Sequence, residues 1–221
     1  MKKYIIFAAI HLFVTNTFSQ LVGLKGGAVN SRIKYVDNWS NNIYLDRMHE
    51  GGFIEMDISY RRSRTFELNS SIGFLRAGGR GHKWFQDFGT IVPVTITTDF
   101  LSLTTTARFK QPIFKNARLF IGAGPKLDIL TRYYDNSGLI EYFKWHNAFN
   151  RVLYGIRSEV GYRVQYKKSA FCFSINYIFS INKLGRYKQK PVTNSSHSDK
   201  AKLSYLTLGF CWAFDFSGHS N

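Results

Sequence analysis

The stretch Leu203–Phe216, with the sequence LSYLTLGFCWAFDF, decides the fold. Alternate residues from Leu206 to Phe216 are large and apolar, whereas those between them, from Thr207 to Asp215, are small or polar. Because successive side chains of a strand point to opposite faces, this pattern predicts a strand with one bulky apolar face and one small, polar face. Such a strand is typical of a barrel with lipid outside and a narrow lumen inside.

Seven further segments alternate in a similar way. With the first stretch they give eight predicted strands: Leu21–Asn30, Gly52–Arg61, Phe66–Leu75, Asp99–Phe109, Ala117–Thr131, Arg151–Val164, Ala170–Ile181 and Leu203–Phe216. The connections are alternately long and short, and outer-membrane barrels have an even strand number, short periplasmic turns and longer outer loops. The sequence therefore predicts an all-β fold: an eight-stranded antiparallel transmembrane β-barrel with short periplasmic turns, four longer extracellular loops and both termini in the periplasm.

Four long segments are predicted as loops: Ser31–Gly51, Arg76–Thr97, Arg132–Asn150 and Asn182–Ala201. Within the second, Ile91–Ile96 has strand character, so the barrel could extend there. Pro125 falls inside the fifth predicted strand, where its missing N–H predicts a bulge or a lost ladder bond. The alternative fold is a soluble eight-stranded barrel or sandwich, in which the bulky face would form the core.

The composition fits one domain that contains a sheet. The chain has 221 residues, 17% aromatic residues and a mean hydropathy of −0.20, which is low for a helical membrane protein but ordinary for a barrel. The formal net charge of +16 raises the question of nucleic acid. The sequence carries no nucleic-acid-binding signature, so we expect no nucleic-acid partner; lipid headgroups, the lumen and solvated loops account for the charge.

The first nineteen residues have the pattern of a signal peptide. Lys2 and Lys3 precede the apolar run Tyr4–Val14, and small residues stand at Thr17 and Ser19. We therefore predict a signal peptide over residues 1–19 and the barrel domain over residues 20–221. A membrane-spanning anchor is the alternative, but the apolar run is too short for one.

Charged residues of both signs fall on the predicted inward face. They are Lys25, Glu55, Asp57, Glu67, Arg108, Lys126, Asp128, Arg157, Glu159 and Arg163. An eight-stranded barrel is just wide enough for side chains to fill its interior, and buried charges are costly unless they are paired. We expect an interior salt-bridge network that plugs the lumen; a narrow ion path is the alternative.

Other candidate residues lie in the predicted loops and near the turns. Cys172 and Cys211 face inward on neighbouring strands and could form a disulfide in an oxidising compartment. The aromatic residues of the loops are candidates for partner or lipid contacts, or pack on one another: Trp39, Trp84, Phe85, Tyr142, Phe143 and Trp145. The scattered histidines specify no catalytic site, and the sequence predicts no metal and no cofactor.

Short glycine-rich motifs resemble a known family. Gly23-Leu24-Lys25-Gly26-Gly27, Phe120–Pro125, Gly155–Gly161 and the closing Leu206–Phe210 are similar to those of the outer-membrane β-barrel domain family, with its PorT-like barrels of type IX secretion and its porin-family small barrels. The chain departs from that pattern at residues 217–221, which follow the last aromatic residue. The resemblance implies an eight-stranded barrel inserted by the outer-membrane assembly machinery, and it implies membership of a secretion system.

These observations favour a small non-enzymatic barrel with a filled lumen. Its partners are expected to be outer-membrane lipid and proteins of a larger complex for secretion or barrel assembly, in which it is an accessory or structural subunit. The alternatives are a narrow small-solute channel and an outer-membrane enzyme that modifies lipids.

Overall fold

The computed structural model describes residues 21–36, 43–60, 63–85, 89–135, 150–188 and 198–216. The predicted signal peptide lies outside the described residues. The strands are β1 (Leu21–Val36), β2 (Ile43–Arg47), β3 (His49–Tyr60), β4 (Phe66–Phe85), β5 (Thr90–Phe114), β6 (Ala117–Asp135), β7 (Val152–Tyr166), β8 (Ser169–Ser180), β9 (Gly185–Lys188) and β10 (Ser198–Asp215). No helix of a length and apolarity suited to crossing a membrane occurs in these ranges.

Eight long strands form a closed ring, as predicted. The order is β1-β3-β4-β5-β6-β7-β8-β10, every pair is antiparallel, and β10 pairs back with β1 from Leu21 opposite Asp215 to Val36 opposite Lys200. The short strands β2 and β9 pair with β4 and β10 and extend the wall at one end. Closure gives the long strands hydrogen-bonded neighbours on both sides, which is what lipid requires of a spanning sheet.

The two ends of the barrel differ. At the turn end, β3 joins β4 through residues 61–65, β5 joins β6 through 115–116 and β7 joins β8 through 167–168; Leu21 and Asp215 also lie there. The opposite end, the loop end, carries the other connections. The strands reach further toward it than predicted, because parts of all four predicted loops are strand.

The prediction of a loop over Arg76–Thr97 is wrong for most of its length. β4 and β5 pair without interruption from Phe66 opposite Phe109 to Phe85 opposite Thr90, and the strand-like Ile91–Ile96 belongs to β5. Gly78 lies within this predicted loop, but a Cβ there would overlap the carbonyl of Ile96 on the facing strand. Its glycine therefore permits a close approach of two strands.

Pro125 interrupts one ladder without shifting its register. In the β5–β6 ladder, Thr104 pairs with Lys126 and the next pair is Ala107 with Ala123, so the pairs between them are missing. The register is the same on both sides of this gap. On its other side Pro125 remains opposite Ile156 of β7. Of the two predicted outcomes, the structure shows the gap in the ladder and no bulge at this residue.

The outer wall is apolar and exposed. Phe210, Phe74 and Trp212 are 71%, 62% and 58% exposed, and every second residue of β8 from Phe171 to Phe179 is exposed as well. Soluble monomers rarely expose a continuous apolar surface of this extent. The bulky face therefore points to lipid, and the alternative of a soluble barrel is wrong.

Candidate functional site: the filled lumen

The lumen contains three layers of side chains. At the loop end, a large apolar cluster includes Val29, Ile33, Phe53, Leu75, Ala77, Val94, Ile96, Phe100, Leu153, Ile178, Leu184, Leu203 and Tyr205. At the turn end, a small apolar cluster comprises Leu21, Phe120, Ala170, Cys172, Cys211 and Ala213. Between and beside these clusters lie the charged residues, which we call the charged belt. The sequence predicted the belt but not the apolar layer at the loop end.

Glu67 is the centre of the belt at the turn end. Its carboxylate is fully buried and accepts two hydrogen bonds from Arg163, Nη1 to Oε2 at 2.7 Å and Nη2 to Oε1 at 2.9 Å. Arg108 Nη1 and Lys110 Nζ each lie 3.3 Å from it, and the Ser59 hydroxyl donates to Oε1 at 2.9 Å. Three cations from β5 and β7 thus converge on one carboxylate of β4.

Arg108 links this centre to a second one. Its Nε donates to Glu159 Oε1 at 2.5 Å and its Nη2 to Oε2 at 3.1 Å, and the Thr106 hydroxyl also donates to Oε1. Arg108 and Arg163 lie over the ring of Phe120, with guanidinium carbons 5.0 and 5.7 Å from its centroid. The aromatic ring of the turn-end cluster therefore covers the two arginines of the belt.

The belt continues across the lumen to β3, β8 and β10. Arg157 Nη1 donates to Glu55 Oε2 at 2.9 Å, and Arg157 Nε is 3.9 Å from Glu159 Oε2. Asn176 Oδ1 accepts from Arg157 and, at 3.4 Å, from Lys25 Nζ, while its Nδ2 donates to the Thr207 hydroxyl at 2.6 Å. The chain of contacts therefore crosses the barrel from wall to wall.

A separate charged group lies beneath the apolar layer of the loop end. Lys126 Nζ is 2.5 Å from Asp128 Oδ1 and also donates to the Ser102 hydroxyl. The buried Tyr205 hydroxyl donates to Asp128 Oδ2 at 2.6 Å. Both carboxylate oxygens of Asp128 are thus satisfied.

The charges buried in the described part of the lumen, the belt and the Lys126–Asp128 group together, nearly balance. Six buried cations (Lys25, Arg108, Lys110, Lys126, Arg157 and Arg163) face five buried carboxylates (Glu55, Asp57, Glu67, Asp128 and Glu159), which leaves one net positive charge. Because an unpaired ion in such a place is strongly destabilising, near-balance is the condition for filling a lumen with charge. Asp57 is the least well paired, with Arg108 Nη2 at 3.9 Å and no hydrogen-bond partner for Oδ1 in the described part of the chain.

The structure buries all ten charged residues selected from the sequence. Eight of them form one connected network of ion pairs and hydrogen bonds, in which Lys25 is linked through Asn176. Lys126 and Asp128 lie outside this network and form a separate group with Tyr205. Sequence reasoning missed Lys110, because it assigned that residue to a turn. The signal was present, since Lys110 continues the inward alternation of Thr106 and Arg108.

Cys172 and Cys211 are free thiols that lie directly opposite each other on β8 and β10. In the same ladder Asp215 lies opposite Lys168 and its N–H donates to the Lys168 carbonyl, so these two residues form a hydrogen-bonded pair. Hydrogen-bonded pairs recur at every second residue of an antiparallel ladder, and Cys211 lies an even number of residues from Asp215. Cys172 and Cys211 are therefore a hydrogen-bonded pair as well. Side chains at such pairs are further apart than those at the alternate pairs. A disulfide, which needs Cβ atoms about 3.5–4.5 Å apart, would therefore require the strands to shift.

Most of the predicted loop contacts stay untested. Trp39, Tyr142, Phe143 and Trp145 lie outside the described residues, and Trp84 and Phe85 are the last residues of β4. His49 is buried at the loop end, with Nε2 3.4 Å from the Thr97 hydroxyl. The described ranges contain no group of three or more His, Cys, Asp or Glu side chains that could hold a metal ion.

Comparisons with known proteins agree with this architecture. A family model described as "Outer membrane protein beta-barrel domain" matches residues 18–186. The curated proteins give no match. The outer membrane protein OprG from Pseudomonas aeruginosa is similar in structure, at 11% identity and a TM-score of 0.51, over 89% of this chain and 96% of that one.

Two further structures are similar over most of their length. They are Neisserial surface protein A (10% identity, TM-score 0.46, covering 86% of this chain and 95% of that one) and the E. coli Outer Membrane Protein W (13% identity, TM-score 0.43, covering 88% and 98%). At such identities the likeness to OprG shows the fold alone.

Proposed function

The chain belongs to the outer membrane protein beta-barrel domain family, and we propose that it is a closed, non-enzymatic barrel that serves as a structural or accessory subunit of a larger outer-membrane complex. The observation that carries this proposal is the filled lumen. A barrel whose interior is occupied by its own side chains offers its outer wall and its loops for function.

The charged belt and the loop-end cluster block the lumen in different ways. A solute entering from the turn end would have to separate Arg163 from Glu67 and Arg108 from Glu159, which are paired through two hydrogen bonds each. A solute entering from the loop end would first meet buried apolar side chains such as Phe100, which is fully buried. Water gains no hydrogen bonds among such side chains, so this layer opposes hydration of the lumen.

The orientation is part of the proposal. Short turns are typical of the periplasmic side of outer-membrane barrels, and the turn end carries three short connections. We therefore place the turn end, with the start of β1 and the end of β10, in the periplasm and the loop end outside the cell.

Isolation of the native complex tests the proposed role. The membrane of the native cell is extracted with a mild detergent, separated by size under native conditions and examined by mass spectrometry. Fixed proteins that co-migrate with the barrel are the expected result, and secretion or barrel-assembly components among them would identify the machine. Migration alone, reproduced in several mild detergents, would overturn the role as a subunit.

A narrow small-solute channel is the second candidate. Asp57 Oδ1, Thr104 Oγ1 and Ser174 Oγ are buried oxygens without a hydrogen-bond partner among the described residues. Buried polar atoms of this kind are commonly satisfied by water, so they favour some hydration of the belt. Conductance separates the two candidates, because only a channel carries a steady current.

A lipid-modifying enzyme is the least supported function. The buried His49 contacts a threonine hydroxyl, and its own carbonyl accepts a hydrogen bond from the Ser31 hydroxyl at 3.0 Å. Ser31 and His49 therefore do not form a nucleophile–base pair, because the Ser31 hydroxyl donates to the His49 backbone carbonyl and not to its imidazole ring. Release of fatty acid from phospholipid by the refolded barrel would contradict the non-enzymatic proposal.

A further inference from the structure

A polar cavity of about 220 Å³ lies at the turn end of the lumen. Its lining comes from β6, β7 and the two turns beside them: Lys115, Asn116, Arg118, Arg163, Gln165 and Lys167. Arg163 points into the lumen, because it is buried against Glu67. Arg118 lies directly opposite Arg163 in the β6–β7 ladder, and side chains at opposing positions share one face of a sheet. The cavity is therefore the mouth of the barrel and not a part of its lipid-facing wall.

The mouth carries more positive than negative charge. Arg163 is paired with Glu67, whereas Lys115, Arg118 and Lys167 have no carboxylate within salt-bridge distance in the described part of the chain. The Gln165 amide donates to the carboxylate of Asp215 at 3.5 Å. Four lining cations against two carboxylates leave an excess of two positive charges. An anion is the ligand that such a mouth favours.

The two arginines point to a ligand at this place independently of the net charge. Like charges directly opposite each other destabilise a sheet, and Arg118 and Arg163 are such a pair. Arg163 donates through Nη1 and Nη2 to Glu67, but its buried Nε–H has no hydrogen-bond partner among the described residues. A buried donor without an acceptor is costly. Because Arg163 lines the mouth, an anion there would supply the acceptor and offset the repulsion.

The size of the mouth limits what can bind. One water occupies about 30 Å³ in the liquid, so the cavity has room for about seven waters. That volume accepts a tetrahedral oxyanion with a few waters and is too small for a length of peptide. The cations come from two strands and two turns, so they surround the space from several sides. An oxyanion with oxygens in four directions matches this arrangement better than a planar carboxylate.

We propose that the turn-end mouth of the barrel binds one small multivalent oxyanion of the phosphate class. Arg118 and the lysines of the two turns supply the charge, and Arg163 donates its remaining N–H. Because Glu67 holds both Nη groups of Arg163, the ion stops at the mouth and the charged belt stays closed. The proposed orientation places the mouth in the periplasm, so the ligand is a soluble anion of that compartment. The phosphate of a membrane lipid does not suit the site, since the acyl chains would lie on the other side of the wall.

Phosphate binding by the full mature chain tests the site. The barrel is refolded in a zwitterionic detergent without phosphate and kept at low ionic strength, where charge interactions are least screened. Equilibrium dialysis against radiolabelled inorganic phosphate gives the number of sites and the dissociation constant. We expect one saturable site per barrel, from which sulfate displaces the label and acetate at the same concentration does not.

Two matched double variants separate the mouth from net charge. Arg118→Gln with Lys167→Asn should weaken phosphate binding by about tenfold or more, because each change removes a charge-assisted hydrogen bond to the ion. Asparagine suits position 167 because Lys167 has a φ of 51°, which Asn adopts more readily than most residues. Arg64→Gln with Lys168→Gln removes two exposed cations that lie at the turn end but do not line the cavity, so the affinity should stay unchanged.

Three outcomes would overturn the site. The first is the absence of saturable phosphate binding, and the second is an equal loss of affinity in the two double variants. The third is displacement of the label by a hexaglutamate peptide at lower concentration than by sulfate, which would show that the mouth receives an acidic protein segment. Each variant is first shown to be folded by its heat-dependent mobility on a gel. A failure here leaves the proposed subunit role standing, since the assay contains no partner protein.

Discussion

Replacing Glu67 by glutamine tests the charged belt most severely. The side chain keeps its shape, but Arg163 loses the carboxylate that accepts both of its hydrogen bonds, and Arg108 and Lys110 lose a partner at 3.3 Å. Removing one partner of a buried ion pair leaves an uncompensated charge and costs about 3–5 kcal/mol. We therefore expect Glu67→Gln to lower the free energy of unfolding by about that amount.

Asp99→Asn provides a matched control on the outer surface. Asp99 accepts two hydrogen bonds from Arg76, at 2.7 and 3.0 Å, so the geometry resembles that of the Glu67–Arg163 pair. The Arg76 side chain is 54% exposed, and exposed pairs contribute only about 0–1 kcal/mol. The difference between the two variants isolates the effect of burial in the lumen.

The assay is reversible urea unfolding of barrels refolded in lipid vesicles. Trp212 lies on the lipid-facing wall and reports insertion through its fluorescence. The double variant Glu67→Gln with Arg163→Gln should recover part of the loss, because it removes the unpaired cation. A cost for Glu67→Gln no larger than that for Asp99→Asn would refute the description of the lumen as a buried, paired network.

Two further predictions concern single side chains. Gly27→Ala should abolish refolding, because the new Cβ would overlap the Leu208 carbonyl, whereas Gly26→Ala next to it should refold; comparable yields on a gel would contradict the close approach of β1 and β10. Tyr205→Phe should cost about 1–3 kcal/mol in the same urea assay, because Asp128 loses a buried donor at 2.6 Å. An additive effect in the double variant Tyr205→Phe with Asp128→Asn would show that the two groups are not coupled.

The outward face could be predicted because alternation is a local property. Phe171 to Phe179 and Leu206 to Phe216 each reveal their face within one strand, and no information about neighbouring strands is needed. The eight strands followed from this pattern, and the ring followed from the requirement that lipid-exposed backbone be paired.

The contents of the lumen could be predicted only in part. Which inward residues meet depends on the stagger of the strands around the barrel, which a sequence does not display. Arg163 and Glu67, for example, lie on β7 and β4 and are not neighbours in any ladder. The loop-end cluster was missed because inward residues such as Phe100 and Leu153 lie next to outward apolar residues, so alternation fails there.

The ends of the strands were the least predictable feature. Gly78, Gly79 and Gly81 lie within β4, where Gly78 permits close packing on β5, yet the same residues are typical of loops. Lys110 was assigned to the turn between the fourth and fifth predicted strands, although β5 continues to Phe114. In both cases the pairing partner, and not the local sequence, decides where the strand ends.

Conductance of the purified barrel in a planar lipid bilayer tests the central claim most directly. Insertion is verified beforehand by heat-dependent mobility and by the fluorescence of Trp212. A lumen filled by the charged belt and the loop-end cluster predicts that the inserted wild-type barrel carries no steady current. A steady open current from the wild-type barrel would contradict the filled lumen and would favour the narrow channel.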